Sequence, residues 1–243
     1  MPNPVTWFEI NGPDPEATSK FYSELFGWSM QPVPEMSYTL IDTHAGSGMN
    51  GGIGQTREGQ PPHTVFYAEN PDIQALLDTA ESLGATTVVP VTVVPEMVTF
   101  AQFTDPFGNL VGLAQGDGST NVSDGSNPPV DWFELSCSEP QKAWTFYSEL
   151  FGWTISGGEG AGFVHGGVEP GAGSVRGGIG STPDGEPHVT LYASVQDLQP
   201  YVDRAASLGG TVIMPSMQVD DHTTIALFAD PQGTTFGVYA SRS

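Results

Sequence analysis

Basic residues are nearly missing from this chain of 243 residues: six Lys and Arg stand against 28 Asp and Glu, a formal net charge of −22. A field of that sign repels phosphate backbones and anionic bilayers, so nucleic acid and membrane surfaces are excluded as partners. Cysteine is reduced to Cys137, and one thiol makes neither an intramolecular disulfide nor a cysteine-based metal knuckle. It closes an apolar run, where a buried, inert thiol is expected. No hydrophobic run reaches membrane-spanning length, and Met1-Pro2-Asn3-Pro4 has neither the basic start nor the apolar segment of a secretory signal. A cytoplasmic location is the expectation. The sequence also lacks a Gly-rich phosphate loop, a nucleophile elbow and a His-Glu-x-x-His signature.

What is present is written twice. Trp7-Phe8-Glu9 and Phe21-Tyr22-Ser23-Glu24-Leu25-Phe26-Gly27-Trp28 recur as Trp132-Phe133-Glu134 and Phe146-Tyr147-Ser148-Glu149-Leu150-Phe151-Gly152-Trp153, an offset of 125 positions from Trp7 to Trp132. The offset holds, or slips by one, through Gly51-Gly52-Ile53-Gly54 and Gly177-Gly178-Ile179-Gly180, His63 and His188, Tyr67 and Tyr192, and the turns Asp105-Pro106-Phe107-Gly108 and Asp230-Pro231-Gln232-Gly233. A tandem duplication follows, with a first domain over 1–115, a linker over 116–129 rich in Gly, Ser, Asn, Asp and Pro, and a second domain over 130–243.

Each half divides again into two strand–helix–strand modules. Val5 to Asn11 alternates as a strand, Asp14-Pro15 supplies an N-cap and a first-turn proline, and Ala17, Phe21 and Leu25 form the buried stripe of a helix that Gly27 ends. In the second module His63 to Ala68 is a strand and Asn70-Pro71 caps a helix carrying Ile73, Leu76, Leu77 and Ala80. Strands follow at Val88 to Val94, Val98 to Phe103 and Leu110 to Gln115.

Four such βαβββ units, with Trp-Phe-Glu, Phe-Tyr-x-x-Leu-Phe-Gly-Trp, Leu-Gly and Asp-Pro-x-Gly placed as they are, resemble the vicinal oxygen chelate superfamily. That superfamily includes glyoxalase I, bleomycin-resistance proteins and extradiol dioxygenases. The resemblance implies an α+β fold in which the four βαβββ units form two cupped mixed sheets around cavities, with helices outside. Since one architecture serves many chemistries, it names no activity. Related chains of half this length dimerise to assemble four units, and here four are already joined, so a monomer is expected.

With the helices outside, alternation turns Trp7, Glu9 and Asn11 into the first cup and Trp132, Glu134 and Ser136 into the second. His63, Val65 and Tyr67 share the concave face of their strand, as do His188, Thr190 and Tyr192. Glu9 with His63 and Glu134 with His188 are therefore the candidate acid–base or ligand-contact pairs. A carboxylate in mid-strand beside a tryptophan needs a partner, and it is either a ligand or a strand-to-strand hydrogen bond that supplies one. Trp7, Tyr67, Trp132 and Tyr192 are the candidate aromatic walls. Unmatched His44, His165 and His222 read as loop or surface histidines.

The resemblance places a metal-ligating histidine at His63 and His188. Its other ligand positions fall on Trp7 and Trp132, within the two Gly-Gly-Ile-Gly runs, and on Gly112 and Gly237. Glycine offers no side-chain donor, and a zinc or iron site takes about three or four protein ligands. The expectation is thus a protein without a transition metal that binds a small, partly apolar molecule, neutral or cationic. The alternatives are a lyase, isomerase or dioxygenase using a divalent metal at Glu9/His63 or Glu134/His188, and a non-catalytic scaffold.

Overall fold

Two sheets of eight strands each carry the fold in a computed structural model that describes residues 2–116, 118, 122–160, 163–171, 174–182 and 185–241. The first half runs β1 (Val5–Gly12), α1 (Pro15–Phe26), β2 (Ser29–Val33), β3 (Tyr38–Asp42), β4 (Asn50–Gln55), then β5 (His63–Asn70), α2 (Ile73–Ser82), β6 (Thr86–Val94), β7 (Val98–Thr104) and β8 (Leu110–Gln115). The second half repeats it: β9 (Val130–Cys137), α3 (Pro140–Phe151), β10 (Thr154–Gly160), β11 (Phe163–Glu169), β12 (Arg176–Ser181), β13 (His188–Ser194), α4 (Gln199–Ser207), β14 (Thr211–Gln218), β15 (Thr223–Ala229) and β16 (Thr235–Ser241). These are the four expected βαβββ units in an α+β fold. The strand orders match, β2-β3-β4-β1-β5-β8-β7-β6 and β10-β11-β12-β9-β13-β16-β15-β14. Both sheets are mixed, since β5 runs parallel to β8 while β7 is antiparallel to β6 and β8.

The helix ends follow the sequence signals with one correction. Asp14 Oδ1 accepts from the backbone N–H groups of Glu16 and Ala17 at 3.1 Å, and Gly27 and Gly152 close α1 and α3 in the left-handed region at φ 77° and 68°. The cap of α2 is Asp72, which accepts from Ala75; Asn70 sits two residues earlier and accepts from the N–H of Asp72 at 2.7 Å. Proline after Asn70 cannot donate, so the side chain reaches past it and the helix starts two residues later. Strands β2 and β10 carry little sequence periodicity, being exposed or half-exposed and containing proline or glycine.

By contact density the chain groups into two compact units, one of Met1–Trp7, Val65–Thr120 and Phe133–Val189, the other of Phe8–Thr64, Asn121–Trp132 and Thr190–Ser243. Each unit joins a module of one half to a module of the other, whereas the sequence repeat groups first with second and third with fourth. In the first unit Phe66 lies 4.5 Å from Phe133 and Tyr147 stacks on Trp153 at 5.6 Å, all buried. Trp153 Nε1 donates to the carbonyl of Asn3 at 2.7 Å, and Asn3 Nδ2 to that of Glu69 at 2.7 Å, which satisfies the polar edge of this core. In the second unit Tyr22, Phe26, Trp28, Phe228 and Phe236 form the corresponding aromatic core, with Trp28 Nε1 donating to Pro128 at 3.0 Å.

Candidate functional site

Glycine strands decide what can stand around the candidate residues. In the second unit Glu9 is half-buried on β1, and Tyr38 on β3 donates its hydroxyl to Glu9 Oε1 at 2.9 Å. The phenol crosses β4 directly above Gly52, where any Cβ would overlap it, and Asn11 fills the space above Gly54 in the same way. A bare glycine strand is therefore what lets Tyr38 reach Glu9. His63 heads β5, its Nδ1 donating to the carbonyl of Pro61 at 2.9 Å, which leaves Nε2 as the acceptor nitrogen.

The first unit holds the counterpart with one exchange. Glu134 on β9 is paired with His165 on β11, whose Nε2 lies 3.0 Å from Oε1 and 3.3 Å from Oε2. This corrects the reading of His165 as a loop or surface histidine. The ladder pairs His165 with Gly158 on one side and Gly180 on the other. In the first half Tyr38 pairs with Val33, and continuing the register of Thr39 with Ile53 sets it opposite Gly54. Tyr38 and His165 thus occupy equivalent places. The Glu134 hydrogen bond raises the His165 pKa above the usual histidine value, against an opposing effect of partial burial. His188 repeats His63: exposed at the head of β13, its Nδ1 donates to the carbonyl of Glu186 at 3.1 Å.

The aromatic candidates divide. Trp7 and Tyr67 are packed with Val65, Ala114, Phe100 and Leu110 in one apolar cluster, and Gln102 Nε2 donates to the Tyr67 hydroxyl at 2.6 Å. Tyr67 lies flat across its parallel partner Gly112, and Tyr192 across Gly237 in the second unit; a Cβ at either glycine would fall inside the ring. Trp132 is half-buried on β9, next to the Asp131 carboxylate that accepts from Ser194 at 2.9 Å. Its first-half equivalent inverts the donor and acceptor, since Thr6 donates to Glu69 Oε1 at 2.6 Å.

The divalent-metal alternative can be tested against these spaces. The closing-strand positions where the family resemblance calls for a carboxylate are Gly112 and Gly237, already covered by Tyr67 and Tyr192, and at Gly178 a side chain would overlap both Glu134 and His165. Among the described residues no three His, Cys, Asp or Glu side chains converge as a metal cluster. The residues present do not fit the four-ligand centre.

Comparison with known proteins places this geometry in context. Residues 5–113 match the Glyoxalase/Bleomycin resistance protein/Dioxygenase superfamily, and residues 132–239 match the Glyoxalase-like domain. The chain is 29% identical to CFP32 of Mycobacterium tuberculosis, a protein whose name proposes it as a glyoxylase, over 96% of this chain and 92% of that one. It is 28% identical to the anthracycline biosynthesis protein DauV of a Streptomyces species, over 99% and 94%. Among solved structures, the Mn(II)-bound glyoxalase from Novosphingobium aromaticivorans superposes with a TM-score of 0.71 at 15% identity, covering 98% of this chain and 82% of that one. At that identity the likeness establishes the fold alone.

Proposed function

We propose, for a chain that belongs to the glyoxalase, bleomycin resistance protein and dioxygenase superfamily through both of its halves, that it binds a small, partly apolar molecule, neutral or cationic. The polar anchors are Glu9 with Tyr38 and Glu134 with His165, while His63 and His188 stand at the heads of β5 and β13 on their own loop carbonyls. Half-buried Trp7 and Trp132 supply aromatic surface, whereas Tyr67 and Tyr192, named with them from the sequence, are buried against Gly112 and Gly237. The net charge of −22 favours ligands that are not anions in solution.

One observation carries the reading that no transition metal takes part at the superfamily's ligand positions: the room a carboxylate would need above Gly112 and Gly237 is filled by tyrosine rings. A ligand is then held by hydrogen bonds and apolar contact, as in a sequestration protein. Elemental analysis of the purified chain, together with mass spectrometry of small molecules retained from a cell extract, tests this. The expected result is a retained organic molecule without stoichiometric metal, and weaker retention in a Glu9→Gln, Glu134→Gln double variant that still folds. A stoichiometric metal whose removal abolishes retention would overturn it.

A further inference from the structure

The two halves differ around His165, which stands where the first half has Tyr38. Its side chain is 50% exposed, and Gly166 and Ile179 turn the other way, toward Trp144 of α3, whose Nε1 donates to the Ile179 carbonyl at 3.0 Å. Directly opposite residues in an antiparallel pair share a face, as do residues two apart on one strand. His165 therefore shares its face with Gly158, Gly180, Gly167 and, across from Gly167, Gly178. A Cβ built at Gly158 meets nothing within 4 Å, and one at Gly167 meets only the Ser156 carbonyl at 3.8 Å. The result is flat backbone at Gly158 and Gly167 beside an imidazole that, with Glu134, already covers Gly178 and Gly180. In the first half the equivalents of Gly158 and Gly167 are Val33 and Leu40. The bare platform belongs to the second half alone.

Glu134 grips Nε2–H, so Nδ1 is the nitrogen left to face a ligand, and among the described residues it has no partner. A carboxylate that stabilises the imidazolium makes the opposite ring nitrogen a better base. The charged groups on the same face by alternation are Glu134, Glu169 and Arg176, the last two 3.6 Å apart and both largely exposed, with His188 at the head of β13. Against a net charge of −22 an anion is disfavoured on approach, whereas a neutral hydroxyl compound arrives without penalty.

We propose that the glycine face of β10 and β11, around Gly158 and Gly167, is a binding site for a flat aromatic ring carrying an ionisable hydroxyl, a phenol, whose proton is taken up by Nδ1 of His165. The O–H bond breaks with its electron pair left on oxygen, an N–H bond forms at Nδ1, and Glu134 stays ionised at Nε2. The bound pair is phenolate against imidazolium, with no change of oxidation state. The raised His165 pKa accords with this. The proposal rests on the small-molecule reading above and names the ligand class of one of its anchors.

The probe is 4-nitrophenol, whose ionised form is yellow, with 4-nitroanisole as the flat ring that lacks the proton. Wild type should bind 4-nitrophenol with its apparent pKa lowered, turning it yellow where the free compound is colourless, and should bind 4-nitroanisole about tenfold or more less tightly, the equivalent of one lost charge-assisted hydrogen bond. His165→Gln should abolish the colour shift. Gly158→Val with Gly167→Leu, which restores the first half's side chains where space is open, should cost at least about tenfold in affinity while circular dichroism stays native. Equal binding of both probes overturns the hydroxyl assignment and leaves the small-molecule reading intact. A colour shift that survives His165→Gln, or binding that survives the filled platform, overturns the site. Failure to bind either probe overturns it too, and retention of a different molecule from extract then shows whether the broader reading survives.

Discussion

The phenol of Tyr147 donates a 2.7 Å hydrogen bond to Oδ2 of Asp105, so the repeated helix motif of the second half is fastened to the repeated Asp-Pro turn of the first. Asp105 also accepts from the backbone N–H groups of Phe107 and Asn109 and from Asn109 Nδ2, within the turn it organises. The corresponding pair, Tyr22 and Asp230, is buried but loosely matched: among the described residues the Tyr22 hydroxyl and Asp230 Oδ2 both lack a partner at hydrogen-bond distance. Two residue types that repeat in sequence are thereby accounted for by packing within each unit.

Tyr147→Phe should lower stability by about 1–3 kcal/mol, because a buried carboxylate oxygen loses a donor, while Tyr22→Phe should change it by less than about 0.5 kcal/mol. Urea denaturation of the two variants checks the difference. Equal losses would contradict the asymmetry.

Burial, with Asp105 beside it, pushes the Tyr147 phenol well up; burial and Asp230 do the same to Tyr22, and burial and Asp131 to Tyr239. A folded pKa above the unfolded one contributes stability that is complete below the ordinary tyrosine value and is lost as pH rises through the folded pKa. Stability should therefore fall from about pH 10 upward. Tyrosinate absorbance should show a fraction of the phenols, Tyr22, Tyr147 and Tyr239 among them, titrating only as the protein unfolds.

Cys137 is fully buried, and burial lifts its thiol pKa to about 11. At neutral pH a thiol-specific chromogenic reagent should report no reactive thiol in the native chain and one in denaturant. Rapid native labelling would contradict the placement.

Gly112→Ala should cost about 1–3 kcal/mol through overlap with the Tyr67 ring. Most of that loss should disappear in a Tyr67→Ala background, because the two positions share one space. Thermal or urea unfolding of the double-mutant cycle measures the coupling; additive effects would mean the ring is free to move aside.

Glu134 raises the His165 pKa, so Glu134→Gln should bring it back toward the ordinary histidine value. The stabilising contribution of the pair is complete below the ordinary histidine pKa and is lost as pH rises through the raised one. An NMR titration of the imidazole resonances reads the shift directly. An unchanged His165 titration would break the pairing.

Much of the architecture was legible in the chain. Trp7-Phe8-Glu9 alternates on one strand, Asp14 and Gly27 bound one helix, and the 125-position offset repeats all of it, because caps and periodicities are local properties of a few neighbouring residues. Glu9 and Glu134 stood out for the same reason, since a carboxylate in an apolar strand is a local inconsistency that demands a partner. The partners themselves were not legible. A constant offset matches Tyr38 with Phe163, whereas the ladder sets it against His165, because β10 and β11 form a longer hairpin than β2 and β3.

Register is decided by which backbone groups pair across strands and by turn length, and neither is written as a distance along the chain. The same holds for Gly112, Gly178 and Gly237, which in sequence are only missing ligands and in three dimensions are the floor beneath Tyr67, Glu134 with His165, and Tyr192. Sequence determined that two like halves form four βαβββ units with a carboxylate in mid-strand in each. Only the packed structure decided that Tyr147 meets Asp105, that one carboxylate faces a phenol and the other an imidazole, and that one half keeps its sheet bare, because each depends on atoms brought together from strands far apart in the chain.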